Sequence, residues 1–194
     1  MNKQNEQKPA GSGQRRQNNR SRQRPQQQQQ NLSQRKEEAV YAFIDSQNLN
    51  ISIQEKGWKL DWTEFRKYLG EKLGVTKAFL FIGYVPGNET MYSILQQQGY
   101  ILIFRPTVDS DSGVKGNIDV ELVLRAMIEY PNYDKAVIVT GDGDFHALID
   151  HLDSHGKLKT LMIPNKERYS SLFKRFESKM DFISTKRRTL EYKR

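Results

Sequence analysis

The chain of 194 residues has no cysteine, which excludes disulfide frameworks, thiol nucleophiles and cysteine-ligated zinc or iron–sulfur centres. It also lacks a long hydrophobic run. The best stretch, Ala78 to Val85, spans eight residues, far short of the ~18 that a membrane-spanning helix needs. The N-terminus carries no apolar segment of the secretory type, so the expectation is a soluble, cytoplasmic protein with no membrane partner. Histidine is scarce. His146, His151 and His155 include one i,i+4 pair, but no acid motif accompanies it and the three read as helix-surface residues. No Gly-x-x-x-x-Gly-Lys-Ser/Thr phosphate loop occurs. Gly141-Asp142-Gly143-Asp144 lacks the third glycine of a dinucleotide loop and would turn two anions toward a pyrophosphate. Asp109-Ser110-Asp111-Ser112-Gly113 has its glycine one position early for a calcium loop and no later Glu; it reads as a mobile loop.

What the chain has in excess is positive charge, unevenly placed. Lys and Arg number 31 against 23 Asp and Glu, a formal net charge of +8. Residues 1–38 hold nine basic and three acidic side chains, residues 186–194 five and one, and residues 39–185 are left at −2. The first 38 residues offer only Met1, Ala10 and Leu32 as apolar groups around a Gln26–Gln30 run. Such a segment cannot bury enough surface to offset its ordering entropy, so a disordered tail is expected. It reads either as a basic arm that collects RNA or DNA through phosphate contacts or as a low-complexity extension kept solvated by its charge. The organisation expected is therefore a tail over 1–38, one domain over 39–185 and a basic extension over 186–194. The Lys186-Arg187-Arg188 cluster reads as a solvated helix face.

From Val40 onward, short apolar runs alternate with amphipathic stretches. Candidate strands are Val40–Asp45, Ala78–Val85, Ile101–Phe104, Ala136–Thr140 and Leu158–Ile163. Trp62, Phe65, Leu69 and Leu73 recur at helical steps before a stop at Gly74. Met91, Ile94 and Leu95 precede Gly99, and Phe145, Leu148, Ile149 and Leu152 precede Gly156. Ile118 to Ile128 is apolar on more than one face, as a well-buried helix would be. Asn165 is placed to cap a helix carrying Leu172, Phe173 and Phe176. The β-α-β-α rhythm predicts an α/β fold with a mainly parallel sheet and helices on both faces.

In such sheets the ligand site lies beyond the carboxyl ends of the strands. The first strand delivers Asp45 and Asn48 there, and the fourth delivers Thr140-Gly141-Asp142-Gly143-Asp144-Phe145. Asp119 falls in the first turn of the helix beginning near Ile118. With strand order 3-2-1-4-5, strands one and four are neighbours and four carboxylates meet at one rim. Singly each acid has a structural explanation: Asp144 could cap the helix starting at Phe145, and Asp119 suits its own helix dipole. Together they would repel unless a cation neutralised them. An oxygen-only donor set favours Mg²⁺ or Mn²⁺ over zinc. A site of that kind can activate water for phosphoryl displacement. Lys115 could meet a substrate phosphate or be an idle surface residue. A haloacid-dehalogenase phosphatase is disfavoured, because the position two after Asp45 is Gln47.

Three segments, Phe43-Ile44-Asp45-Ser46-Gln47-Asn48-Leu49, Lys115-Gly116-Asn117-Ile118-Asp119-Val120 and Thr140-Gly141-Asp142-Gly143-Asp144-Phe145, resemble the NYN domain, in particular its LabA-like group, related to PIN-domain nucleases. The resemblance covers roughly residues 39–185. It implies a three-layer PIN-like/Rossmann-like α/β sandwich and a metal-dependent ribonuclease site. Asp45, Asp119, Asp142 and Asp144 would be the catalytic, metal-binding acids, with Asn48 as the accompanying polar residue. One position departs from the group: many of its sequences carry another Asp six residues after Asp119, where this chain has Arg125. The function expected is hydrolysis of RNA phosphodiesters with Mg²⁺ or Mn²⁺. The alternative is a non-catalytic RNA-binding or regulatory module on the same fold.

Overall fold

The computed structural model describes residues 37–105 and 118–193. The expectations for the tail, for Asp109–Gly113 and for Lys115 fall outside the described residues. Six strands form one sheet: β1 (Val40–Asp45), β2 (Val75–Gly83), β3 (Tyr100–Arg105), β4 (Lys135–Val139), β5 (Leu158–Ile163) and β6 (Met180–Phe182). Their order is β3-β2-β1-β4-β5-β6, and every neighbouring pair is parallel. The expected order is thus observed, with one strand added beyond β5. β6 has three half-buried residues, too short to show a strand period in sequence.

The helices are α1 (Ser46–Glu55), α2 (Trp62–Leu73), α3 (Glu89–Gln97), α4 (Ile118–Ile128), α5 (His146–Ser154) and α6 (Arg187–Leu190). Because side chains alternate along a strand, β1 feeds two cores. Val40, Ala42 and Ile44 join Leu49, Ile53, Phe65, Leu69 and Leu95 on one face. Tyr41 and Phe43 join Leu122, Ala126, Leu148, Ile149 and Phe173 on the other. All six residues of β1 are buried. A strand covered on both faces needs a continuous apolar run, which is why β1 shows no polar alternation. Residues 187–192 also belong to this body: Leu190 is fully buried, and Leu60 pairs with Glu191. Lys186 and Arg187 are engaged in ion pairs with Asp181 and Glu191.

One helix is added and two local expectations are corrected. Ser46–Glu55 is a helix that the pattern did not announce, with Asp45 as its N-cap accepting from the Asn48 N–H. Asn165 does not cap a helix. Its Oδ1 accepts from the Glu167 N–H in a turn, and a 3₁₀ segment follows only at Ser171–Lys179, capped by Ser170. Nor is α4 well buried. Leu122 and Ala126 are covered, while Val120, Leu124, Met127 and Ile128 are 59%, 51%, 40% and 54% exposed. The helix lies on β1 and β2, which cover one side of it only.

Candidate active site

The strand order reverses between β1 and β4, so the connections leaving their carboxyl ends run to opposite faces and part to leave a crevice. Asp45 stands at the end of β1 and is 5% exposed. Its Oδ1 accepts from the Asn48 N–H at 3.0 Å, and the Thr140 hydroxyl, also buried, reaches its Oδ2 at 3.4 Å. Burial pushes the Asp45 carboxyl up to about 6; the Asn48 N–H pulls it back, while the carboxylates of Asp119 and Asp142 push it further. Two of the other expected acids, Asp119 and Asp142, thus lie within electrostatic reach of Asp45.

The loop after β4 is held from several directions. Gly141 N–H donates to Asn48 Oδ1 at 2.8 Å, and Asp142 N–H to Thr140 Oγ1 at 3.1 Å. Asp142 Oδ1 accepts from the Asp144 N–H at 3.1 Å, capping the 3₁₀ turn Gly143–Phe145 that precedes α5. The cap is therefore Asp142, not Asp144, because this extra turn delays α5 to His146. Gly143 is required by contact: a Cβ there would lie 2.4 Å from Ser170 Oγ and 3.0 Å from its Cβ. Ser170 N–H also donates to Gly141 O at 3.0 Å, so the segment after β5 is pinned across the β4 loop.

An open cleft of about 620 Å³ results, lined by Asp45, Asn48, Asp119 and Asp142 on one side and by Arg168 and Tyr169 on the other. Gln47, Ile51, Ser52 and Glu55 of α1, with Gly141, complete it. Asp144 is exposed and is not among the lining residues, so three of the four expected acids share the cleft. Asn48 is there, but its Oδ1 is spent on fixing the Gly141 loop. Arg168 and Tyr169 were not anticipated. Arg168 is paired with Glu55 at 2.9 Å, and beside it Lys56 pairs with Glu167 at 2.8 Å. No spacing in the sequence announces this wall, since it arises from a turn that crosses back over α1.

Whether these residues suit a divalent ion can be judged from their chemistry. The donors are all carboxylate oxygens, as Mg²⁺ and Mn²⁺ prefer. A desolvated carboxyl facing two others is a charge arrangement that a cation relieves. As arranged here, however, no group of three or more His, Asp or Glu among the described residues is close enough to clasp an ion. The fit is therefore one of donor type and charge.

An all-parallel α/β sheet with carboxylates heading a crevice at its switch point is the architecture of the PIN-like nucleases. The family model of the NYN domain matches residues 39–184, and the chain belongs to the NYN domain family. Its sequence is similar to the "Low amplitude and bright protein LabA" of Synechococcus elongatus, 26% identical over 121 residues. That match spans 57% of this chain and 65% of the relative's length, and it places the chain on the LabA-like branch. A crystal structure of a protein of unknown function from Vibrio parahaemolyticus shares the fold, with a TM-score of 0.63 and 22% identity. It covers 75% of this chain and 93% of the other. No helix among the described residues is long and apolar enough to cross a membrane.

Proposed function

We propose that this protein is a metal-dependent ribonuclease whose reacting phosphodiester lies in the cleft between Asp45, Asp119 and Asp142 and the Arg168–Tyr169 wall. The observation that carries this reading is the desolvated Asp45, raised further by Asp119 and Asp142 at the switch point. Those three acids would hold Mg²⁺ or Mn²⁺, with Asp144 beside them on the rim. The ion, when bound, supplies neutralisation of the acids and of the scissile phosphate, and activation of water.

The chain's own residues do the positioning. Thr140 and the Asn48 N–H fix the Asp45 carboxylate, and Asn48 Oδ1 fixes the loop that presents Asp142. Among the described residues Arg168 is the cationic side chain lining the cleft, and a guanidinium suits a substrate phosphate. Tyr169 offers an aromatic face on which a base of a single strand can stack. The basic residues of 1–38, together with those of 186–194, would hold RNA near a body that is otherwise slightly acidic.

A second reading, a non-catalytic RNA-binding module, is favoured by the absence of a ready three-acid clasp among the described residues. One assay separates them. Single-stranded and structured RNA are incubated with the full chain and Mn²⁺ or Mg²⁺. Cleavage that is lost in Asp119→Asn and in Asp142→Asn, with RNA binding retained, supports the enzyme; Asp144→Asn should reduce it less. RNA binding without cleavage, unchanged in the variants, would end the nuclease reading.

A further inference from the structure

Helix α4 carries apolar residues well beyond the side that packs on the sheet, interrupted by Asp119, Glu121 and Arg125, yet its outer apolar face is exposed. At 100° per residue, Val120, Leu124, Met127 and Ile128 occupy an arc of roughly 100°, and all four are 40% to 59% exposed. Together they present roughly 350 Å² of apolar surface, within the range that marks interaction patches on soluble proteins. The segments outside the described residues are poor in apolar side chains that could cover them. Residues 1–36 contain Met1, Ala10 and Leu32, and residues 106–117 contain Val108 and Val114, as their aliphatic side chains.

We infer that α4 is a homodimer interface, two copies packing α4 against α4 antiparallel about a two-fold axis at Leu124. The sequence of the helix is self-complementary in that register. Val120 of one copy meets Ile128 of the second, and Leu124 meets Leu124. A two-fold axis of this kind also brings like flanks together. Glu121, which is exposed, and Arg125 border the same edge of the apolar arc. With a rise of 1.5 Å per residue, Glu121 of one copy stands within about 3 Å axially of Arg125 of the other. Both copies contribute, so two opposite-charge pairs close that edge. A parallel two-fold pairing would instead put this flank on opposite sides of the two helices, away from its own copy, and form neither charge pair. The present partner of Arg125 is Glu129 at 3.8 Å, a loose pair four residues on, just past the end of α4.

The area agrees with a reversible dimer. Two faces supply roughly 700 Å² of apolar surface, and at the apolar share usual for interfaces this corresponds to roughly 1,100–1,200 Å² in total. That is at the lower end of specific interfaces, so a monomer–dimer equilibrium is expected rather than an obligate dimer. This does not depend on whether the cleft cuts RNA.

The test is sedimentation equilibrium of the full chain over roughly 1–200 µM, with heat denaturation of each variant as a control. Wild type should rise from monomer toward dimer mass across that range, as a small interface predicts. Leu124→Glu places two like charges at the axis and should remain monomeric while melting like wild type, since the side chain is exposed. Glu121→Arg and Arg125→Glu should each weaken association, by roughly tenfold, and the double exchange should restore it. A wild-type chain that stays monomeric throughout, or a Leu124→Glu chain that dimerises as well as wild type, overturns the interface. A double exchange that fails to restore association overturns the antiparallel register.

Discussion

Replacing Asp45 with Asn should make the protein more stable at neutral pH, although it removes a residue central to the proposed chemistry. Burial is the main force raising the Asp45 carboxyl from 3.8 to about 6; the Asn48 N–H opposes it, and Asp119 and Asp142 add to it. Between those two values the folded chain holds more protons at this position than the unfolded chain. Stability contributed by protonated Asp45 is therefore complete below about pH 4 and is lost as pH rises through about 6. The displacement corresponds to about 3 kcal/mol. An Asn side chain keeps an oxygen to accept from the Asn48 N–H and carries no charge to desolvate. In EDTA at pH 7.5, Asp45→Asn should exceed wild type by about 2–3 kcal/mol, or roughly 5–10 °C in Tm for a domain of this size. Near pH 4 the two should unfold together. Urea titrations followed through Trp58 and Trp62 fluorescence at several pH values would measure the difference. Millimolar Mn²⁺ should then stabilise wild type and leave the Asn variant unmoved, by mass action on the folded state. An Asn variant no more stable than wild type at any pH between 4 and 8 in EDTA would refute the reasoning.

Three further outcomes follow from the loops around the cleft and from the tail. Gly143→Ala forces a methyl group to 2.4 Å from Ser170 Oγ and should cost about 1–3 kcal/mol in urea unfolding, part of which Ser170→Gly should recover. Asn48→Ala leaves the Gly141 N–H without its 2.8 Å acceptor and should cost about 1–2 kcal/mol, with a loss of cleavage that raising Mn²⁺ does not repair. Removing residues 1–36 should leave the melting curve in place and flatten the salt dependence of RNA binding. The slope of log K against log salt should fall by about 0.7 for each phosphate that the tail had neutralised; an unchanged slope would show that the tail takes no part.

Order along the chain already placed the strands and brought β1 beside β4. Apolar runs such as Val40–Ile44 and Val137–Val139 report burial on both faces, and a repeating βα rhythm with right-handed crossovers leaves few sheet orders. Asp45, Asp119 and Asp142 could be assigned to one rim because each sits at the end or start of an element whose position that rhythm sets. Side chains whose place depends on contacts between distant segments were a different matter. Asp144 had the spacing of a ligand, but a 3₁₀ turn held by the Asp142 cap puts it outside the cleft. Arg168 and Tyr169 reach the site through a turn pinned to Gly141 by Ser170, and no local pattern encodes that meeting. The apolar residues of α4 looked like a buried helix, since periodicity records a need for cover and not what supplies it. Local sequence sets the conformation and apolar face of each element; convergence at the cleft, and the bare side of α4, follow from how elements remote in the chain are packed together.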